Sequence, residues 1–358
     1  MTGLIDMTAS AALTGLRVAV ADAVDDAAVT AMRDAGAVVF TGVSARPAQV
    51  VADGDADIAV TADAPPTAVC ITPTAAALRT RLSVVASDLA VADAAMTVLA
   101  AHSPGRWPAD VRFAAPPELV IGVALDARTL GAVTAALSRT GARVVDGDFG
   151  AREHLTVPDG VDAVITAPGP GLPRDLCSVT VRVDGSVVSV VARAFDDAVA
   201  VDIAASLTNM QEMQRVWPLG TADPVELVVF GAHLRGGPLT HQLTDLGGRW
   251  AGETTTAPRY RMTVLPTVPP KPAITRVPDD LPGTALYGHR WLLSAAALGR
   301  FLAALPAPMQ LGKVEFDDGS WRTAFGCEAA AATGADISRY GSWPGAVAAG
   351  AVRGGAAG

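Results

Sequence analysis

The chain is 358 residues long, half of them hydrophobic and 18% charged, with a formal net charge of -9 at pH 7. This composition is typical of a folded globular protein rather than a disordered one, and the length allows two domains. Lysine and arginine are scattered along the sequence rather than clustered. The sequence therefore does not predict a basic surface that could bind successive phosphates of a nucleic acid, and nucleic acid is not an expected partner.

Cysteine usage and the N-terminal sequence indicate the compartment. The cysteines are odd in number and widely spaced, at Cys70, Cys177 and Cys327, which fits neither a disulfide framework nor a zinc motif. The first ten residues, MTGLIDMTAS, lack the basic and apolar regions of a signal peptide, and every apolar run is too short to span a membrane. We therefore expect a cytoplasmic protein with no metal, no cofactor and no membrane contact.

The first part of the chain alternates strand and helix patterns. Strand-like runs at 16–20 and 119–123 are each followed by an amphipathic helical stretch and then by a second strand-like run. Asp25 and Asp126 are typical N-cap residues at the start of the two helical stretches, and Gly36 and Gly141 are typical residues at their ends. The pattern predicts an α/β fold with parallel strand pairs.

The pattern of predicted secondary structure changes after residues 218–224. Strand patterns at 226–230 and 261–265 are separated by Gly and Pro turns, 266–272 (PTVPPKP) reads as a stiff connector, and 292–305 reads as a helix. Asp317, Asp318 and Gly319 predict a hairpin turn. This pattern indicates an α+β domain. We predict domains at 1–222 and 223–345, followed by a flexible tail at 346–358.

The second domain contains an ordered series of distinctive sequence blocks. They are VFGAHL from Val229, PLTHQL from Pro238, TAPRYR from Thr256, PKP from Pro270, LPAP from Leu305, LGKV from Leu311, CEA from Cys327 and DIS from Asp336. In this order the blocks resemble the C-terminal domain of the allophanate hydrolases. The resemblance implies a small α+β fold similar to that of the gamma-glutamyl cyclotransferases, and a homodimer.

The first domain resembles the amidase-signature fold in a shortened form. Residues 13–25 (LTGLRVAVADAVD) are similar to the strand that carries the catalytic lysine of that superfamily, and 29–42 to the helix and strand that follow. Residues 71–74 and 87–94 resemble segments beyond the nucleophile loop. The resemblance implies a truncated α/β amidase-like domain.

The residues that carry amidase chemistry in that superfamily are replaced. Ala21 stands where the catalytic lysine is expected, and the serine-rich stretch expected after Ser44 is missing. The segment that takes the place of the nucleophile loop, 60–67 (VTADAPPT), contains no serine. Thr67 could attack only with a base, and no base is identifiable. We therefore predict a catalytically silent amidase half.

His233 is the leading catalytic candidate. Resemblance to the family implies that the C-terminal domain acts on N-carboxycarbamate, the product of the amidase step, which loses CO2. That reaction needs a proton donor as the C–N bond breaks, and histidine is suited to this role near neutral pH. The alternative is a strand-end histidine that hydrogen-bonds the backbone.

Four further side chains are candidates for substrate binding. Tyr260 could hydrogen-bond substrate, Arg259 could attract an anion, and His241 lies eight residues beyond His233. Glu328 could be a general acid or base, or simply an ion-pair partner. Each has the simpler alternative of a structural or solvated side chain.

Two functions remain open from the sequence. In the first, the protein is an enzyme of urea and allophanate metabolism whose C-terminal domain acts on a small anionic urea-derived metabolite. In the second, it is a non-catalytic binding or assembly partner of an active amidase or a urea carboxylase. An open pocket at His233 favours the enzyme, whereas a pocket filled by Trp250 or Trp291 favours the second function.

Overall fold

The computed structural model describes residues 12–42, 47–62, 69–78, 82–210 and 216–352. The chain divides into two compact units, Met1–Asp223 and Pro224–Gly358. Within the described ranges, no helix combines the length and the apolar character needed to cross a membrane.

The N-terminal unit alternates strands and helices. Its strands are β1 Arg17–Val20, β2 Val38–Phe40, β3 Ile58–Thr61, β4 Cys70–Thr72, β5 Ser83–Ala86, β6 Val120–Ala124, β7 Arg143–Val145, β8 Ala163–Thr166, β9 Leu176–Val183 and β10 Ser186–Arg193. Its helices are α1 Asp26–Asp34, α2 Pro47–Ala52, α3 Leu89–His102, α4 Ala127–Ser138 and α5 Asp197–Leu207. The strands form one ten-stranded sheet in the order β2-β1-β3-β5-β4-β9-β10-β8-β6-β7.

The two ends of this sheet have the predicted parallel pairs. Strand β1 pairs parallel with β2 and β3, and β6 pairs parallel with β7 and β8. The predicted capping is confirmed at Asp25, which accepts from the Ala28 backbone N–H at 2.9 Å, and at Asp126, which accepts from the Thr129 N–H at 2.9 Å. Local sequence signals therefore determine the two outer βαβ passages.

The centre of the sheet is antiparallel, which the sequence pattern did not indicate. Strands β9 and β10 form a long hairpin, and nearly all of their central residues are buried. A strand covered on both faces has no hydrophobic alternation, so its period is hidden. The one local signal is the turn Asp184–Gly185, where both residues have positive φ, 45° and 83°.

Arg112 ties together three segments of the N-terminal unit. Its guanidinium donates to Asp196, just before α5, at 2.9 and 2.7 Å, and to Asp162, just before β8, at 3.0 Å. Asp162 also accepts from the Val120 N–H of β6 at 3.0 Å. The arginine side chain is only 24% exposed, so its charge is compensated by these two carboxylates.

The C-terminal unit has α+β architecture. Its strands are β11 Val225–Val229, β12 Arg249–Thr255, β13 Tyr260–Leu265, β14 Lys271–Arg276, β15 Tyr287–Leu293, β16 Met309–Glu315 and β17 Trp321–Cys327, and its helices are α6 His241–Thr244, α7 Ala295–Ala303 and α8 Trp343–Ala348. Five strands form a mixed sheet in the order β12-β15-β11-β17-β16, and β13 and β14 form a separate pair. The predicted turn at Asp317–Gly319 joins β16 to β17.

Two predictions in this unit are corrected by the structure. The connector at 266–272 is mostly the loop of the β13–β14 hairpin, and strand pairing begins at Lys271. The helix predicted at 292–305 begins only at Ala295, because Leu292 and Leu293 belong to β15 and the Ser294 side chain caps the helix. Apolar side chains in a short buried strand and in the helix after it give one continuous pattern.

The predicted start of the flexible tail, residue 346, is too early in the sequence. Ser342 caps α8 by accepting from the Gly345 N–H at 3.1 Å. Ala346 is fully buried, and Ala351 and Val352 pack against the core of the unit. The small side chains that suggested fraying instead allow the helix to pack closely, while residues 353–358 lie outside the described ranges.

We predict that Arg112→Ala destabilises the protein by about 2–3 kcal/mol, because it removes the counter-charge of the Asp162 carboxylate and leaves Asp196 with Arg193 at 3.7 Å. Urea unfolding followed by circular dichroism measures the change in free energy of unfolding. Arg182→Ala is the matched control: Arg182 is exposed on β9 and, among the described residues, donates only to the Gly185 carbonyl, so its loss should cost less than about 0.5 kcal/mol. Equal effects of the two variants would contradict the role of the Arg112 cluster.

Candidate functional site

A tight turn follows strand β11 and carries His233. The Leu234 N–H donates to the Gly231 carbonyl at 3.0 Å, and the Leu239 N–H donates to the Ala232 carbonyl at 3.0 Å. Gly231 has no room for a side chain, since a Cβ atom there would lie 2.7 Å from Cγ of Pro272. The turn therefore seats His233 next to the β13–β14 hairpin.

The imidazole of His233 is held by two aromatic rings and one amide. It stacks on Phe325 with 5.3 Å between ring centroids, and Phe301 meets it edge-on, also at 5.3 Å. Nε2 lies 2.9 Å from Oε1 of Gln242, on α6. With the Gln242 amide oxygen assigned towards Nε2, that nitrogen carries the proton, and Nδ1 is the nitrogen that can exchange a proton with a ligand.

The surroundings favour neutral imidazole. Burial lowers the pKa of His233 below its usual range, the Gln242 hydrogen bond opposes this, and the positive charges of His241 and Lys271 lower the pKa further. His233 is therefore mostly uncharged at neutral pH in the absence of a ligand.

A cavity of about 690 Å³ opens beside His233, and all of its lining residues belong to the C-terminal unit. The polar or charged side chains that line it are His233, Gln242, Asp245, Lys271 and Arg300. Most of the wall is apolar and includes Leu239, Leu246, Pro269, Pro270, Pro272, Phe301, Leu305, Pro306, Met309, Phe325 and Trp343. Neither Trp250 nor Trp291 is among the lining residues. The cavity is concave, mostly apolar and supplied with a few polar groups, as ligand sites are.

The structure does not bring Tyr260 or Arg259 to this cavity. Tyr260 is 3% exposed, and its hydroxyl accepts from the Glu315 backbone N–H at 2.7 Å, which makes it a packing residue. Arg259 forms an ion pair with Asp279 at 3.1 Å. Strand alternation placed Tyr260 on the buried side, but this side faces the core rather than the cavity.

His241 and Glu328 also lie outside the cavity wall. His241 is exposed at the first position of α6, and Glu328 is exposed directly after β17. The next residue of α6, Gln242, faces His233 instead. A shift of one residue on a helix turns a side chain by about 100°, which a sequence block cannot resolve.

Several lining residues were missed by sequence reasoning. Gln242 belongs to the block that starts at Pro238, and Lys271 is the one charged residue in the proline run 266–272, so each had a local signal. Phe301 and Phe325 come from α7 and β17. Their approach to His233 depends on tertiary packing, which no local pattern reports.

A second histidine supports the turn from the other side. The Arg235 N–H donates to Nδ1 of His289 at 2.8 Å, so Nε2 carries the proton and donates to the Tyr287 hydroxyl at 2.8 Å. Burial lowers the pKa of His289, with Glu253 opposing and Arg235 reinforcing this effect. Burial and the hydrogen bond to Glu253 raise the pKa of Tyr287 to about 12. The hydrogen bonds through the uncharged His289 and Tyr287 side chains fix the backbone at Arg235, two residues beyond His233.

Part of the predicted amidase remnant lies outside the described residues. This holds for Ser44 and for most of the substituted nucleophile loop, including Thr67. Ala21 follows β1, and its N–H donates to the Val60 carbonyl at 3.0 Å. In the described part of the chain, no three His, Cys, Asp or Glu side chains lie close enough together to hold a metal ion.

Comparison with known proteins identifies the C-terminal unit. A model of the allophanate hydrolase C-terminal domain family matches residues 225–348. The chain is 30% identical to a urea amidolyase of Lachancea kluyveri over 142 residues, which are 38% of this chain and 8% of that protein. It is 32% identical to a urea amidolyase of Saccharomyces cerevisiae over 124 residues, which are 33% of this chain and 7% of that protein. The chain thus matches only a small part of the length of these curated relatives.

Solved structures extend the likeness to the fold of nearly the whole chain. Allophanate hydrolase from Kluyveromyces lactis matches with a TM-score of 0.71 and 18% identity, over 94% of this chain and 89% of that one. The K. lactis urea amidolyase matches with a TM-score of 0.72 and 19% identity, over 94% of this chain and 33% of that one. At this level of identity the likeness shows a shared fold.

We predict that the imidazoles of His233 and His289 both titrate below the reference value of about 6.5. Because these folded-state pKa values are lowered, the unfolded chain binds more protons than the folded chain below about pH 6.5. The stabilisation is complete above that pH and is lost as the pH falls. Nitrogen NMR of the imidazoles measures the titrations, and urea unfolding at several pH values measures the stability. A His233 titration above 6.5 would contradict the assignment.

Proposed function

Residues 225–348 belong to the allophanate hydrolase C-terminal domain family, and on that premise we propose that this protein acts in urea and allophanate breakdown. The proposed reaction is decarboxylation of N-carboxycarbamate in the His233 cavity. The observation that carries the proposal is the open cavity around a histidine whose Nδ1 can exchange a proton. Had Trp250 or Trp291 filled this space, a purely binding role would have been favoured.

The proposed step is balanced by one proton. One N–C bond of HN(COO⁻)₂ breaks, its electron pair stays on nitrogen, CO2 leaves, and nitrogen takes a proton to give carbamate. His233 Nδ1 supplies that proton and regains one from water. Carbamate then takes a second proton, from water, and releases ammonia and a second CO2.

The lowered pKa of His233 is compatible with this role. A dianion bound beside the ring favours imidazolium over neutral imidazole, which opposes the effects of burial and of Lys271. Lys271 supplies a positive charge that attracts the anion to the same end of the cavity. Substrate binding therefore protonates the ring that later donates its proton, and we expect the reaction to slow as the pH rises.

The amidase half is proposed to be silent. Ala21 carries no proton, and the segment 60–67 has no serine to attack an amide. An active amidase must then supply N-carboxycarbamate. The alternative is that the protein is a non-catalytic assembly partner of such an amidase or of a urea carboxylase; in either case we expect a homodimer.

The C-terminal unit is proposed to have a gamma-glutamyl cyclotransferase-like fold. Its mixed five-stranded sheet, with a ligand-sized cavity at the turn after strand β11, supports this assignment. The Gly231–His233 turn would then hold the reacting group of the substrate.

We predict that the purified protein does not release ammonia from allophanate by itself. The test is a steady-state ammonia assay, with an active amidase as the positive control. Turnover of about 1 per second or faster would overturn the proposed silence of the amidase half.

We predict that the protein accelerates ammonia release when an active amidase supplies N-carboxycarbamate, and that His233→Asn removes most of this gain. General acid catalysis contributes about 10²–10⁴-fold, and asparagine cannot exchange a proton near pH 7. The matched control is His241→Asn, since His241 is exposed and outside the cavity wall.

Unchanged stimulation by His233→Asn would favour the assembly role over catalysis. No stimulation by the unaltered protein, measured where spontaneous decay is slow, would leave only a binding role.

A further inference from the structure

N-carboxycarbamate would occupy only a small part of the His233 cavity. That molecule consists of two carboxylates on one nitrogen and presents no hydrocarbon surface. The cavity measures about 690 Å³, within the range of roughly 300–1,000 Å³ typical of sites for drug-sized ligands. Most of its wall would be left without a partner by so small a dianion.

Two of the groups suited to an anionic head, Gln242 and Lys271, act directly on the His233 imidazole. Nε2 of His233 is hydrogen-bonded to Gln242 at 2.9 Å, and Lys271 is close enough for its charge to act on the imidazole. Asp245 and Arg300 also line the cavity, and both are exposed, but neither is among the groups that act on the His233 imidazole. The head of a ligand is thus expected at His233 and Lys271.

The proline wall next to Lys271 offers a carboxylate no backbone N–H from its prolines. Pro269, Pro270 and Pro272 flank Lys271 in sequence and have no backbone N–H to donate. A carboxylate against these rings would lose its hydrogen bonds to water without replacement, whereas a hydrocarbon group would gain by leaving water. Pro272 also packs against Gly231, so the apolar wall begins where the head site ends.

We infer that the cavity takes an N-substituted carboxylated substrate, with its carboxylates at His233 and Lys271 and a hydrocarbon substituent on nitrogen against the proline wall. This inference rests on the proposed function and extends it to a substrate class. The step remains balanced: R–N(COO⁻)₂ and one proton give R–NH–COO⁻ and CO2. The N–C bond to the departing carboxylate breaks, and its electron pair takes the proton on nitrogen.

The test uses malonates, in which carbon replaces the reacting nitrogen so that CO2 loss is not expected during the measurement. Malonate represents the head alone, and 2-methyl-, 2-ethyl-, 2-propyl- and 2-butylmalonate add the substituent stepwise. Calorimetric titration of the full chain should show Kd falling about threefold to fourfold per added methylene, as burial of about 0.8 kcal/mol each implies. Butanol, which has the tail without the head, should bind more weakly than butylmalonate.

Two variants locate the substituent. Met309→Gln keeps the length of the side chain but makes the cavity wall polar, so it should weaken butylmalonate about tenfold or more and leave malonate unchanged. Leu302→Gln is the matched control, because Leu302 lies on α7 next to Phe301 but is 51% exposed and outside the lining. Unchanged malonate affinity also shows that the Met309 variant is folded, and the malonate series on the unaltered chain is independent of both variants.

The outcomes separate this inference from the proposed function. If malonate binds and the alkyl malonates bind no more tightly, the substituent is excluded while the proposed reaction stands. If no malonate binds, or if butanol binds as well as butylmalonate, the head site fails and both proposals fall with it.

Discussion

The turn between β11 and α6 is the constraint on which the candidate site depends. On one side Gly231 packs against Pro272 so closely that a Cβ atom would overlap it. On the other side His289 accepts the Arg235 N–H and is itself held by Tyr287. Between these two contacts the backbone at His233 has little freedom. The imidazole is thereby presented to the cavity without an ordering cost when a ligand arrives.

Burial of His233 within this site also determines its electrostatics. Burial and the nearby charge of Lys271 disfavour imidazolium, so the empty site holds a neutral ring. A ligand with negative charge reverses this preference and couples protonation of Nδ1 to binding. The apolar wall strengthens the coupling, because charges interact more strongly where water is excluded.

Sequence reasoning succeeded where the signal was local. The caps at Asp25 and Asp126, the parallel pairs at both ends of the large sheet and the Asp317–Gly319 turn were all predicted from short patterns. It failed for the β9–β10 hairpin, which is buried on both faces, and for the segment around Leu292, where a strand runs directly into a helix.

For the site, the sequence identified His233 but not its surroundings. Gln242, Lys271 and Phe325 come from three elements far apart in the chain and meet only in the folded unit. The other candidates were chosen for their chemistry and their place in sequence blocks. The Tyr260 side chain lies in the core and the Glu328 side chain lies in solvent. Side-chain direction depends on the exact position within each strand or turn.

The protonation state of His233 with an anion bound is the most direct test of this cavity as the reaction site. Nitrogen NMR of the imidazoles, recorded across pH with and without saturating malonate, reports the pKa of Nδ1 in both states. We expect malonate to raise the pKa of His233 and to leave the resonances of His154, in the other unit, unchanged. A His233 titration that malonate does not alter, with malonate binding confirmed independently, would contradict the assignment of this cavity as the reaction site.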